Sequence, residues 1–186
     1  MKATVATVLI VPGLREHVPN HWQTLLAAQL PKVRMVAPLT HDRLCCAARV
    51  DAIDRALASI DGPVIIVAHS AGAMMVVHWA ARGATREIQG ALLAAPADLE
   101  TSMPAGYPTV DALGEHGWLP VPRASLPFPS IVAASSNDPL ARLDRARELA
   151  RVWGSRFVEL GAVGHLNPAS GFGAWPQAET FIRDLS

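Results

Sequence analysis

The stretch VIIVAHSAGAMM, residues 64–75, decides the fold of this chain. Four β-branched residues and an alanine are typical of a buried strand, and the residues after Ser70 predict a helix over 71–82. A sharp strand-to-helix turn would hold the serine hydroxyl clear of the backbone. Because such a turn crowds the chain, the residues two before and two after the serine must be very small. The usual pattern, G-x-S-x-G, has glycine at both places. Here Ala68 and Gly72 occupy them, and alanine is the smallest possible departure.

On the pentapeptide alone, a simpler interpretation of Ser70 stays open. Serine is common at the N-terminus of a helix, where its side chain caps the first turn. The wider sequence must therefore decide whether this serine is a nucleophile or a cap.

Composition limits the class of protein. The chain has 186 residues, 51% hydrophobic and 17% charged, with a formal net charge of zero. This length suits one domain with one sizeable core. We expect neither a nucleic-acid partner nor an anionic membrane surface, because no excess of basic residues would attract them. No apolar run reaches the ~18 residues needed to span a bilayer.

The two cysteines, Cys45 and Cys46, are adjacent. Neighbouring cysteines rarely form a disulfide without backbone strain, so we expect a reducing compartment and a cytoplasmic location. The N-terminal stretch ATVATVLIVPG, residues 3–13, is interpreted as an internal strand rather than a signal peptide. The single Lys2 makes a poor basic region, and a Pro-Gly pair ends the apolar run early.

Apolar runs alternate with helical patterns along the chain, which predicts βαβ units. We expect a single α/β domain over 1–186, with a mostly parallel sheet of about six strands and helices on both faces. Asn20, with Gln23 three residues on, resembles the N-cap of the first helix. The predicted strands are 4–11, 33–38, 64–68, 88–96, 130–135 and 156–160. The other predicted helices are 43–60, 71–82, 139–153 and 176–185.

The alternation fails over residues 97–127, which are rich in proline and glycine. So long an irregular stretch inside a compact domain typically covers a site or is mobile. We expect a cap-like segment here, and whether it moves as a lid is left open. Tyr107 and Trp118 lie in it and are two candidates for the wall of an acyl pocket.

A serine nucleophile needs a base to take its proton and a carboxylate to orient that base. Asp138 follows the predicted strand 130–135, and His165 follows the last predicted strand in a glycine-rich loop. The order Ser, Asp, His is that of hydrolases with this turn. The carboxyl ends of parallel strands meet at one edge of a sheet, where catalytic groups collect. Each residue also has a structural interpretation, Asp138 as a helix cap and His165 as a polar loop residue.

Other polar residues predict less. Asp98, Asp111 and Asp144 also lie between the serine and the histidine, and we choose Asp138 among the four for its place after a strand. His17 and His21 are four apart, yet Pro19 interrupts the helix that would make them a metal pair, so we expect no metal.

His69 is expected to point away from the nucleophile, into packing or a pocket wall. Trp22, Trp153 and Trp175 are expected to be core or loop anchors.

Scattered blocks of the sequence resemble the α/β-hydrolases, and within them the small serine hydrolases of the YdeN and retinoblastoma-binding protein nine type. The two most specific blocks are WG (153–154) and GHLNPASGFGAWP (164–176). The other matching blocks are VPG (11–13), HW (21–22), AHSAG (68–72), LPFPS (126–130) and SSNDP (135–139).

The resemblance implies a triad of Ser70, Asp138 and His165 in a compact fold, without a cofactor. The oxyanion hole is expected from the backbone N–H groups of Ala71, just after the nucleophile, and Leu14, in the loop after the first strand. No retinoblastoma-type partner is expected, because that interaction uses L-x-C-x-E. LCCAA (44–48) has alanine where the glutamate is required.

The sequence therefore predicts a serine hydrolase that cleaves a small ester or an activated acyl compound. Two alternatives stay open. An amidase or peptidase would use the same three residues, and a catalytically silent binding protein would keep the fold. A small-molecule substrate is the partner that all the enzymatic alternatives share.

Overall fold

The computed structural model describes residues 5–186. Thr4, the first residue of the first predicted strand, lies outside the described residues. So does Lys2, the single basic residue before the N-terminal apolar stretch. In the described part, the strands are β1 (Thr7–Val11), β2 (Val33–Met35), β3 (Val64–His69), β4 (Gly90–Ala94), β5 (Ser130–Ala134) and β6 (Arg156–Glu159). The helices are α1 (Trp22–Gln29), α2 (Cys46–Ala58), α3 (Ala71–Ala81), α4 (Val110–Glu115), α5 (Leu143–Trp153) and α6 (Gln177–Asp184).

The six strands form one sheet in the order β2-β1-β3-β4-β5-β6, and every neighbouring pair is parallel. The predicted α/β fold is confirmed. The chain runs outward from β1 to β2 and then returns to the other side of β1 with β3. Loops that leave the carboxyl ends of β1 and β3 therefore diverge, which opens a crevice at this edge of the sheet.

Helices cover both faces of the sheet, as predicted. Alternate residues along a strand point to opposite faces, so β3 contributes Ile66 to one apolar core and Ile65 to the other. Helices α2, α3 and α5 pack on the first face, and α1 and α6 pack on the second. Within residues 5–186, no helix is long and apolar enough to cross a membrane.

The predicted cap of the first helix is wrong. Asn20 adopts a left-handed conformation with φ of 61°, and the helix begins only at Trp22. His21 is the N-cap instead, and its Nδ1 accepts a hydrogen bond from the backbone N–H of Gln23 at 3.2 Å. An imidazole nitrogen thus does what the asparagine side chain was expected to do.

Helix α5 begins at Leu143 rather than near Pro139, and its N-cap is Arg142. Asp138 is therefore not the cap of this helix. Its carboxylate accepts a hydrogen bond from the Leu140 N–H at 2.8 Å, which closes a turn just after β5. This turn precedes the helix and fixes the direction of the Asp138 side chain.

Residues 97–127 contain the short helix α4, which the sequence did not predict, between irregular stretches. Trp118 is completely buried in the first core, and its indole N–H donates to the Leu44 carbonyl. Trp118 therefore does not line a pocket, whereas Tyr107 does. The role of this segment as a cap stays a prediction.

Candidate active site

Ser70 lies on a strained turn between β3 and α3. Its φ of 57° and ψ of −127° are rare for any residue with a side chain. The backbone N–H of Ser70 donates to the Ala94 carbonyl on β4 at 3.0 Å, which helps to hold this conformation. The Ser70 side chain makes no cap hydrogen bond to α3. The interpretation of this serine as a helix cap is therefore wrong.

The residues around the turn are small because the chain passes close to itself there. A Cβ added at Gly72 would lie 2.5 Å from the carbonyl oxygens of both Val11 and Pro12. Real Cβ atoms do not approach backbone oxygens so closely, so glycine is required at this position. Ala68 is completely buried on β3, between Val11 on β1 and Leu93 on β4.

The structure brings the three predicted residues into one chain of hydrogen bonds. Ser70 Oγ lies 2.8 Å from His165 Nε2, and His165 Nδ1 lies 2.8 and 2.9 Å from the two oxygens of Asp138. A carboxylate only accepts, so Nδ1 carries the proton and Nε2 accepts from the serine hydroxyl. The side chains of His165 and Asp138 are only 4% and 3% exposed. This geometry suits the transfer of a proton away from Ser70.

Side chains from the β5 loop hold the loop that carries His165. Asn137 Oδ1 accepts from the Gly164 N–H at 2.7 Å and from the Ser135 hydroxyl at 2.8 Å. Ser135 Oγ in turn accepts from the Val163 N–H at 3.1 Å. Both loops are therefore joined just beside Asp138 and His165, which fixes the distance between the carboxylate and the imidazole.

The other three candidate aspartates do not reach the imidazole. Asp98 is buried, but it lies 3.3 Å from Arg145 Nε and accepts bonds from its own loop. Asp111 is exposed in the first turn of α4, and Asp144 is exposed in the first turn of α5. Of the four, Asp138 is the one within hydrogen-bond distance of the histidine.

A cavity of about 520 Å³ opens over Ser70. Its wall has apolar, polar and charged side chains, and the charged ones are Arg15, Glu16 and Arg43. The apolar part includes Leu14, Leu44, Leu99, Met103, Tyr107 and Leu140. The polar part includes His21, Gln23 and His69.

Both residues predicted for the oxyanion hole, Leu14 and Ala71, line this cavity beside Ser70. Within residues 5–186, neither backbone N–H donates a hydrogen bond. Ala71 is the first residue of α3, where an N–H has no partner inside the helix. Two free donors next to a serine hydroxyl suit the binding of a negatively charged oxygen.

His69 lines the cavity next to His165. It forms pocket wall, as expected; its ring is 4.9 Å from the His165 ring, and its Nε2 lies 2.8 Å from the His165 carbonyl oxygen. Burial, and then the nearby His165 and His21, hold the pKa of His69 well below its ordinary value. His69 is therefore neutral at physiological pH.

Sequence reasoning missed His21 and Gln23 as parts of this wall. The sequence places His21 in a candidate metal pair with His17 and in the HW block of the resemblance, but not in a pocket wall. The described residues contain no group of three side chains that could hold a metal. The available signal was the position of these two polar residues, at the buried start of the helix that follows the first strand. Trp22 and Trp175, expected to be anchors, are buried and pack edge to face at 4.8 Å.

Comparison with known proteins shows what this chain is similar to. The family model described as serine hydrolase matches residues 8–184. A YdeN-like hydrolase from Pectobacterium atrosepticum is 30% identical, with a TM-score of 0.79 over 97% of this chain and 90% of that one. The ydeN gene product of Bacillus subtilis is 17% identical, with a TM-score of 0.75 over 97% and 98%.

More distant structures share the fold. Mouse alpha/beta hydrolase domain-containing protein 10 is 13% identical, with a TM-score of 0.73 over 100% of this chain and 93% of that one. Among curated proteins, a sequence search finds no match.

Proposed function

The chain belongs to the serine hydrolase family, and we propose that it cleaves a small ester or activated acyl compound through Ser70, His165 and Asp138. The observation that carries this proposal is the unbroken chain of hydrogen bonds from the Ser70 hydroxyl to the Asp138 carboxylate. Ser70 and His165 line the cavity. A serine that served only the fold would need neither this partner nor the strained turn.

The first half of the reaction forms an acyl-enzyme. Ser70 Oγ attacks the acyl carbon while His165 Nε2 takes the hydroxyl proton. The ester C–O bond then breaks, and His165 returns the proton to the departing alcohol oxygen. Asp138 keeps the proton of the imidazole on Nδ1 and stabilises the positive charge that develops on the ring.

In the second half, water replaces the alcohol. His165 takes a proton from the water as its oxygen attacks the acyl carbon, and then returns that proton to Ser70 Oγ. The carboxylic acid leaves and the free serine is restored. In both halves the negative oxygen would be bound by the N–H groups of Leu14 and Ala71. Loss of one such donor typically costs about 3 kcal/mol of transition-state stabilisation.

The cavity supports a small acyl group. Its volume, about 520 Å³, lies within the range of ordinary ligand pockets. Side chains such as Leu99, Met103 and Tyr107 offer apolar contacts to a short acyl chain. A small molecule is therefore the substrate we propose.

The experiment compares the wild-type protein with Ser70→Ala. We expect wild type to hydrolyse p-nitrophenyl butyrate and to be labelled by a fluorophosphonate probe. Ser70→Ala should lose the labelling and about 10⁶-fold in turnover, because no other group can form the acyl-enzyme. The matched control is Ser102→Ala, an exposed serine that does not line the cavity. It should behave as wild type.

Two results would contradict the proposal. A folded Ser70→Ala variant that keeps most of its turnover would remove Ser70 from the mechanism. A wild-type protein that neither reacts with the probe nor hydrolyses any ester would favour a silent binding protein. The amidase alternative is tested in the same assay with the p-nitroanilide of butyric acid, which differs from the ester only in its leaving atom.

A further inference from the structure

Three polar side chains form one wall of the cavity beside the triad and have no part in the reaction described above. They are His21, Gln23 and His69, which we call the polar wall. Each is almost completely buried, with 8%, 2% and 5% of its surface exposed. Burial of polar groups is costly unless their hydrogen-bonding atoms are used. The partners of each atom therefore indicate what the wall binds.

His69 presents an acceptor. Its Nε2 lies 2.8 Å from the backbone carbonyl oxygen of His165. A carbonyl oxygen only accepts, so Nε2 carries the proton of the neutral ring. Nδ1 is then an acceptor, and it has no hydrogen-bond partner among residues 5–186.

His21 presents a donor. Its Nδ1 accepts from the Gln23 N–H at 3.2 Å, so in the neutral ring the proton is on Nε2. In the described part of the chain, Nε2 has no acceptor, and the atom is not completely buried. Nε2 is thus accessible, in a side chain that lines the cavity.

Gln23 presents a second acceptor. Its side-chain amide donates to the carbonyl oxygens of Val11 at 3.1 Å and Val67 at 3.0 Å. These two bonds fix the orientation of the amide and use both of its hydrogens. Its Oε1 accepts from no donor within residues 5–186, and the atom is not completely buried.

The polar wall lies on the side of the histidine base. The rings of His21 and His69 are 4.6 Å apart, and the rings of His69 and His165 are 4.9 Å apart. His165 must deliver its proton to the oxygen of the departing alcohol. A group bound at the polar wall is therefore next to that alcohol. The acyl chain can instead contact the apolar part of the cavity.

We propose that the polar wall binds a hydroxyl group on the alcohol part of the ester, so that the substrate is an ester of a diol or polyol. A hydroxyl both donates and accepts, which matches one free N–H and two free acceptors. This inference rests on the proposed ester hydrolysis and names its leaving group.

The charge of the wall agrees with an uncharged ligand. Burial first, and then the nearby His165 and His17, lower the pKa of His21 to about 4. Burial also keeps His69 neutral. A carboxylate or phosphate would find no positive charge on these three residues, although Arg15 and Arg43 also line the cavity. A quaternary ammonium group has no hydrogen to donate to the acceptors.

The experiment measures kcat/KM of the full-length protein for three butyrate esters of different alcohols, by titration of the released acid. The esters are propyl butyrate, 2,3-dihydroxypropyl butyrate and butyrylcholine. We expect wild type to prefer the dihydroxypropyl ester to the propyl ester about tenfold, as one or two buried hydrogen bonds would give. Butyrylcholine should show no such preference.

The variant His21→Asn separates binding from folding. Asparagine can still cap α1, because its Oδ1 can accept from the Gln23 N–H. Its amide N–H groups lie closer to the backbone than the imidazole Nε2–H and do not replace that donor. We expect the preference for the dihydroxypropyl ester to fall below about threefold. The matched control is His78→Gln, a half-buried histidine that donates to the Trp118 carbonyl and does not line the cavity. It should keep the wild-type preference.

Equal rates for the two neutral esters in wild type, a preference for butyrylcholine, or an unchanged preference in His21→Asn would each overturn the inference. These outcomes leave ester hydrolysis itself intact. Absence of Ser70-dependent hydrolysis of all three esters would instead overturn the proposed function, and the inference with it. The two failures are therefore distinguishable.

Discussion

At the scale of single residues, Asp138 and Asp98 show how two buried carboxylates of one chain come to differ in chemistry. Their side chains are 3% and 5% exposed. Asp138 accepts from an imidazole that can change its charge, whereas Asp98 lies beside a guanidinium that cannot. Burial alone therefore does not identify a catalytic group, and the partner of the carboxylate does.

The first residue-scale prediction concerns this difference. Asp138→Asn should lower kcat for p-nitrophenyl butyrate by about 10⁴-fold, because an amide can hold the imidazole in the wrong tautomer. Melting temperature and kcat are measured together. The control is Asp98→Asn, which should keep turnover within a few-fold and lose about 1–3 kcal/mol of stability through its weakened contact with Arg145. The opposite result for the two variants would contradict the assignment of Asp138.

At the scale of elements, the site depends on how closely β1 and its loop pass the start of α3. The carbonyl oxygens that leave no room for a Cβ at Gly72 belong to Val11 and Pro12 at the end of β1. The same crossing brings Gly13 against Ser70, where an added Cβ would be 3.3 Å from the serine Cβ. The turn, the nucleophile and the proposed oxyanion hole are thus one packed unit.

We therefore expect Gly72→Ala to be severely damaging. The added methyl group must push β1 away from α3, which moves Leu14 and Ser70 relative to each other. We predict loss of most turnover and a stability loss of at least about 1–3 kcal/mol, measured by urea unfolding. Gly173→Ala is the matched control, since an added Cβ there meets no atom within 4 Å. A fully active Gly72→Ala would mean that this crossing is looser than the structure has it.

A second element-scale prediction concerns Ala68, the departure from glycine two residues before the nucleophile. Ala68 is completely buried between neighbouring strands, so a larger side chain must displace the end of β3. Ala68→Gly should retain activity, Ala68→Ser should be impaired, and Ala68→Val should lose most turnover. Activity should fall before the melting temperature does, because a small shift separates Ser70 from His165. An Ala68→Val variant that keeps both properties would contradict a tight turn.

At the scale of the whole molecule, the fold keeps several histidines uncharged in its interior. Burial lowers the pKa of His21 from 6.5 to about 4, and it lowers the pKa of His69 in the same direction. Between pH 6.5 and 4 the unfolded chain binds protons at these positions and the folded chain does not. The contribution of these two histidines to the free energy of unfolding is therefore complete above pH 6.5 and is lost as the pH falls.

This predicts acid sensitivity at the level of the whole fold. From pH 7 to pH 5, His21 alone should lower the free energy of unfolding by about 2 kcal/mol. Urea unfolding at the two pH values measures the change. His21→Asn should lose less stability over the same interval than wild type, because asparagine does not titrate. An identical loss in the two proteins would mean that His21 is already protonated at pH 5 in the folded state.

Much of the fold was predictable from local pattern. A strand or helix buried against a core repeats its apolar residues with its own period, so β3, α2 and the six-stranded sheet could be predicted from sequence alone. The order Ser70, Asp138, His165 was also visible, since each follows a predicted strand. Element starts were less predictable. Helix α1 uses the His21 ring as its cap, and α5 begins after a turn that Asp138 makes first.

Only the tertiary structure decided which side chains face the cavity. Trp118 and Tyr107 share one irregular segment, yet Trp118 is in the core and Tyr107 lines the cavity. His21 and Gln23 reach the site because the strand order places β1 beside β3. Local periodicity records that a residue is buried, because burial selects apolar residues at regular spacing. Periodicity does not show which residues a buried side chain packs against. That depends on strand order and on contacts between residues far apart in the chain.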